Sequence, residues 1–111
     1  MLTLATKFRP DKLQAFDTAY RAGLRGAELW LNDALLLNWK IIVSVARRFP
    51  FHYALHFPNE GVLQADALRG AIGLYNDLEC RTMVIHQSMY DQYADDHLDM
   101  EPSLRLAIEN A

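Results

Sequence analysis

Polar and apolar residues alternate along residues 51–57, FHYALHF. Phe51, Tyr53, Leu55 and Phe57 fall on one side, and His52, Ala54 and His56 on the other. Pro58 stops this strand, and Asn59-Glu60-Gly61 makes a turn. The same two-residue period recurs at residues 26–32 (GAELWLN), at 81–87 (RTMVIHQ) and at 104–111 (LRLAIENA), and residues 2–8 (LTLATKF) read as a short opening strand. Between these stretches the period changes to three and four. Pro10 opens a helix with Leu13, Phe16, Ala19 and Tyr20 on one face, closed by Gly23. Asn32 or Asp33 caps a second helix over 34–48, whose wide stripe is Leu35, Leu36, Trp39, Ile42, Val43 and Ala46. A third runs over 64–78 with Leu68, Ala71, Ile72, Tyr75 and Leu78 inward, and Gly70 and Gly73 suggest close packing on the sheet. Residues 88–100 are polar and hold at most a short helix.

Strands alternating with helices predict a parallel α/β sheet in one domain over 1–111. The two faces of the strands differ. One is aliphatic or aromatic, and the other carries Glu28, His56, His86 and Glu109 among small or mixed residues. A doubly wound sheet packs helices on both faces and would be aliphatic on both. A barrel has one helix-facing side and an interior that turns polar at the strands' C-terminal rim. The expectation is a partial (β/α) TIM barrel of five parallel strands, order 1-2-3-4-5, with helices on the outer face only. A one-residue slip in any strand would send a charge into the helix layer.

Composition narrows the function more than the fold. With 111 residues, 51% apolar and 23% charged, the chain suits one small globular domain without a disordered signature. Net charge is −3 and no basic run exceeds Arg47-Arg48, so nothing in the charge calls for nucleic acid. The most apolar run, 34–46, is interrupted by Asn38, Lys40 and Ser44 and is too short to span a bilayer. The N-terminus lacks a signal-peptide pattern, and the lone Cys80 excludes an internal disulfide; both point to a cytoplasmic protein with a buried free thiol.

His56 and His86 lie 30 residues apart, about one βα unit, and Glu109 follows 23 residues later. Equivalent positions on neighbouring strands would bring two imidazoles and a carboxylate together, a suitable set for Zn²⁺ or Mn²⁺. Taken singly, each histidine reads as a satisfied interior residue; the three together favour a site. Trp30 at the rim suits stacking against a sugar ring, and equally a plain interior position. His52 reads as core and His97 as solvent-facing. The aspartates at 91, 95, 96 and 99 lack the spacing and glycine of a calcium loop and read as a solvated face.

On the stretches AGLRGAELWL, ALHFPN, MVIHQ and LRLAIENA, the chain resembles the N-terminal part of the xylose isomerase-like TIM-barrel superfamily. That superfamily holds sugar and sugar-phosphate isomerases and epimerases together with endonuclease IV-type enzymes. The resemblance implies that His56, His86 and Glu109 face a divalent metal (Mn²⁺, Zn²⁺, Co²⁺ or Mg²⁺), that Glu109 and His86 are catalytic, and that Trp30, His56 and Glu28 line the substrate. The implied reaction is metal polarisation of a carbonyl and hydroxyl pair while a carboxylate moves a proton between adjacent carbons. Gln87 stands where the family often has proline or glycine, which weakens the endonuclease alternative, a metal-dependent phosphodiester hydrolysis. The superfamily's barrel has eight strands and this chain supplies five, so the co-ligands of later strands are absent from it. The expectation is weak metal binding, and either self-association or completion by the missing C-terminal half or a partner. A non-catalytic, partner-dependent barrel module is the other alternative.

Overall fold

A computed structural model describes residues 5–93, 98 and 102–110 of the chain. Its strands are β1 (Ala5–Phe8), β2 (Gly26–Trp30), β3 (His52–His56), β4 (Met83–His86) and β5 (Leu106–Glu109). All neighbouring pairs are parallel, and the sheet order is β1-β2-β3-β4-β5. Order, direction and strand positions are those the alternation predicts. The first three residues of the expected opening strand, 2–4, lie outside the described residues, as do His97 and the aspartates at 95, 96 and 99.

The two-face pattern holds on β2, β3 and β4 but not on the edge strand β5, where Ile108 is exposed and Glu109 half-buried. Ala27, Leu29, Tyr53, Leu55, Met83 and Ile85 are buried in one hydrophobic core with the helices. The alternate positions Glu28, Ala54, Val84 and His86 are half-buried, while Trp30, His52 and Ala107 are exposed. His52 thus stands on the open face and is not a core residue, because it follows the register of Ala54 and His56 rather than that of Tyr53. The free thiol Cys80 is buried, as expected, and burial pushes its pKa up to about 12, which makes it inert at neutral pH.

Helices α1 (Leu13–Arg21), α2 (Asp33–Leu37), α3 (Trp39–Ala46), α4 (Ala65–Asp77) and α5 (Gln87–Tyr93) fill the connections. Helix α1 begins three residues after Pro10, which sits in the preceding turn instead of in the first helical turn. The expected single helix over 34–48 is two helices. At Asn38 the backbone leaves helical geometry (φ −110°, ψ 29°), and its Nδ2 donates to the Ala34 carbonyl at 3.0 Å. An asparagine that bonds the backbone in this way competes with helix continuation. Upstream, Asn32 Oδ1 accepts from Leu35 N–H at 2.8 Å and caps α2 as expected.

The expectation for Gly70 and Gly73 needs correction. They do not bring α4 onto the sheet; they let it approach α2 and α3. A Cβ on Gly70 would run into the Leu36 carbonyl oxygen, and one on Gly73 would lie 2.6 Å from the Trp39 ring. The fifth helix starts directly at the end of β4, so Gln87 is helical and bonds Asp91 four residues on. Its Tyr93 packs against Phe57 (ring centres 6.2 Å apart) and accepts from Leu63 N–H at 2.6 Å. The loop that follows β3 is thereby anchored to α5. Among the described residues no helix is long and apolar enough to cross a membrane.

Candidate functional site

The C-terminal ends of β1, β2 and β3 gather most of the polar chemistry. Parallel register places Lys7 beside Glu28, and Trp30 beside His56. Glu28 lies one side-chain step below Trp30 on the same face, so its carboxylate reaches diagonally to His56. Glu28 Oε2 is 3.1 Å from His56 Nδ1 and 3.2 Å from Lys7 Nζ. His56 is only 3% exposed, yet both ring nitrogens are engaged, with Asn59 Oδ1 3.0 Å from Nε2. A carboxylate only accepts, so Nδ1 carries a proton and donates it to Glu28. In the neutral ring Nε2 is then an acceptor and takes the Asn59 amide NH₂, the side-chain amide being turned over. In the imidazolium, Nε2–H donates to Asn59 Oδ1. Either way, the imidazole is fixed between a carboxylate and an amide.

Trp30 covers this pair. Its ring centre is 5.3 Å from that of His56, tilted by 55°, and Lys7 Nζ stands 5.1 Å from the centre of its ring. The indole is 38% exposed, so part of the ring remains accessible to a ligand. Beyond it lies a cavity of about 250 Å³ lined by Arg9, Trp30, Asn32, His56, Asn59 and Glu60.

The rest of the expected site lies elsewhere. His56 pairs in register with Val84, whereas His86 pairs with Glu109. His86 is therefore one pleat nearer the rim than His56. With a strand spacing near 4.8 Å and two residues of rise, their backbones are about 8 Å apart. The assumption of equal depth fails because the β3–β4 register pairs His56 with Val84, two residues short of His86. His86 and Glu109 do stand side by side. His86 Nδ1 lies 2.9 Å from Ser88 Oγ and accepts from Ser88 N–H at 3.3 Å, which places the proton of a neutral ring on Nε2.

Among the described residues, no three His, Cys, Asp or Glu side chains stand close enough to hold a metal ion. The triad His56, His86 and Glu109 is thus not assembled as a ligand set; it divides into the Glu28–His56 pair and the His86/Glu109 pair.

Three residues of this arrangement were not singled out from the sequence. Lys7 shares the face of Glu28 by simple alternation, and Asn59 follows His56 by three residues at a strand end. Both were open to that reading. Arg9 lies beyond the last residue of β1, where the two-residue period gives no direction. A larger cavity of about 680 Å³ opens at the other end of the same face, lined by Ala5, Gly26, Glu28, His52, Ala54 and Arg81 among others. Glu28 reaches it from above, but His56 and Trp30 do not line it. Set beside models of protein families, curated proteins and solved structures, the chain matches none of them.

Proposed function

We propose that this chain carries the first five βα units of a xylose isomerase-like barrel whose rim handles a sugar or sugar phosphate in an isomerisation or epimerisation. The observation that carries the reading is His56, buried at a strand end, oriented by Glu28 and roofed by a half-open tryptophan. A carboxylate-oriented imidazole is a proton-transfer group, and the accessible part of the indole offers apolar surface to a sugar ring. Sequential parallel strands with helices on one face supply the scaffold that such a rim needs.

In this mechanism His56 moves a proton at a carbon or hydroxyl of the bound sugar. Glu28 is the positioning residue: it holds Nδ1–H and stabilises the imidazolium as it forms. Asn59 holds Nε2 until substrate displaces it. Were a divalent ion bound, His86 and Glu109, paired across β4 and β5, would hold it and it would polarise the substrate's oxygens; no step depends on it here.

A panel of aldoses, ketoses and their phosphates in D₂O, followed by proton NMR with and without Mn²⁺, tests the reading. The expected result is deuterium entry at the carbon next to the carbonyl for at least one sugar, slowed a hundredfold or more in His56→Asn. No exchange with any member of the panel overturns it.

The second reading, a barrel module that works only with a partner or a second copy, is favoured by the open sheet face, where Trp30, His52 and Ala107 are exposed. Sedimentation at micromolar concentration tests it. A stable monomer that binds sugars as expected removes the need for a partner.

A further inference from the structure

Two cations follow one another at the end of β1, and their surroundings differ. Lys7 is committed: its ammonium pairs with Glu28 and lies close to the Trp30 ring. Arg9 is not committed. Its side chain lines the rim cavity with Trp30, His56 and Asn59, and among the described residues its guanidinium has neither a hydrogen-bond nor an ion-pair partner. Among the described residues Arg47 and Arg81 are likewise unpaired beside other cavities, but Arg9 is the one that shares its cavity with Trp30 and the Glu28-oriented His56. Its planar fork of N–H donors matches the oxygens of a phosphate or a carboxylate.

We infer that Arg9 recognises an oxyanion, so that the compound taken by this rim carries a phosphate ester or a carboxylate at one end. Arg9 holds that group while the carbon skeleton lies on Trp30 and reaches His56. This rests on the proposed sugar chemistry only for the skeleton; the anion end rests on Arg9 and the cavity alone. The cavity of about 250 Å³ is large enough to take a short polyol with its anion beside Trp30 and His56. Glu60 lines the same cavity and makes no ion pair with Arg9. Its carboxylate opposes an anionic ligand, so neutralising it strengthens binding, whereas neutralising Arg9 weakens it.

The test is a titration of the full chain, following the Trp30 indole and His56 ring signals by NMR. The ligands are a pentose 5-phosphate, a pentonate, the neutral pentose and inorganic phosphate, at low salt because screening weakens exposed pairs. The expected result is that the phosphate ester or the pentonate binds at least tenfold more tightly than the neutral pentose. Arg9→Gln removes that advantage, and Glu60→Gln raises it severalfold, with thermal midpoints unchanged because both side chains are exposed. Neutral pentose binding as tightly as the anions overturns the inference and leaves the sugar reading standing. Inorganic phosphate binding as tightly as the ester, and depending on Arg9, supports the inference and overturns the sugar reading. Anion binding that ignores Arg9→Gln, or no binding by any anion, overturns the inference.

Discussion

The helix-facing side of the sheet and its open face are held together by different physics. At the starts of the strands on the covered side, Phe16, Phe49, Phe51 and Tyr53 pack ring against ring, with centre separations of 5.6, 6.1 and 5.7 Å along the chain of contacts. Tyr53 closes the group by donating its hydroxyl to the Ala46 carbonyl at 2.8 Å, and burial raises its pKa, with Cys80 adding to the effect. On the open face, at the strand ends, each polar group instead leans on one or two particular partners: Lys7 on Glu28, Glu28 on His56, His56 on Asn59. Packing of the first kind contributes stability in proportion to buried area and tolerates no loss of volume. A chain of single polar contacts contributes little net stability but fixes orientation. Substitutions on the two sides should therefore separate folding from binding.

The strongest test on the covered side is Phe16→Ala. Phe16 is fully buried and touches Phe8, Phe49 and Tyr53 edge-on or stacked. Its loss should cost about 3–5 kcal/mol, a large share of what a domain of this size has. Urea unfolding measures it; a cost below about 1 kcal/mol would mean that the aromatic group is not the core it looks to be.

Next in size is Gly70→Ala in α4. An alanine gains roughly 1 kcal/mol of helix propensity, but here its methyl meets the Leu36 backbone, which cannot rotate away. Overpacking of this kind costs about 1–3 kcal/mol, so the variant should be less stable in spite of the better helix former. Gly73→Ala meets the Trp39 ring instead, and Trp39→Leu should rescue it in part. A stabilised Gly70→Ala would show that α2 and α4 do not approach so closely.

These residues also mark where the sequence stops being legible. The alternation places Glu28, His56, His86 and Glu109 on one face because a strand has a period of two whatever its neighbours do. Depth along the strand is another matter. It depends on which residues pair, and the β3–β4 register sets His86 one pleat beyond His56. No periodicity within a single strand contains that offset, so the expected triad separates into two pairs. In the same way, two glycines in a helix announce a close approach without naming the surface approached. The break at Asn38 rests on one side-chain bond to Ala34, in a stretch whose apolar stripe runs unbroken through it.

On the open face, Glu28→Gln should cost only about 1 kcal/mol, since it weakens one hydrogen bond and frees Lys7 to solvent. Its effect on orientation should be larger. Nitrogen-15 NMR of the ring should show Nδ1 protonated in the native chain, and a mixture of tautomers once the carboxylate is gone. Sugar binding or proton transfer should fall much more than stability does. Equal losses in both would place Glu28 with the structural residues and erase the contrast between the faces.

The smallest expected effect concerns the bottom of the sheet, at Glu79. Helix α4 ends with Glu79 N–H bonded to the Asn76 carbonyl and Cys80 N–H bonded to that of Tyr75, at 3.1 and 2.9 Å. Helix α1 ends in the same way, with Gly23 and Leu24 donating to Tyr20 and Ala19. This double bond pattern needs a left-handed residue, and Gly23 supplies it at φ 86°. In α4 the position is held by glutamate at φ 52°, where a side chain costs roughly 1 kcal/mol. Glu79→Gly relieves that strain but loosens the unfolded chain by about 0.4–1 kcal/mol, leaving a net gain of roughly 0.5 kcal/mol at most. The thermal midpoint should rise by no more than about 2–4 °C, while Glu79→Ala, which keeps the backbone restriction, should gain nothing. Glu79 also lines the large lower cavity, so the same variant asks whether strain there serves the rim. Unchanged ligand binding with a small stability gain assigns Glu79 to helix termination alone. Weaker binding at the rim would show instead that the two ends of the open face are coupled.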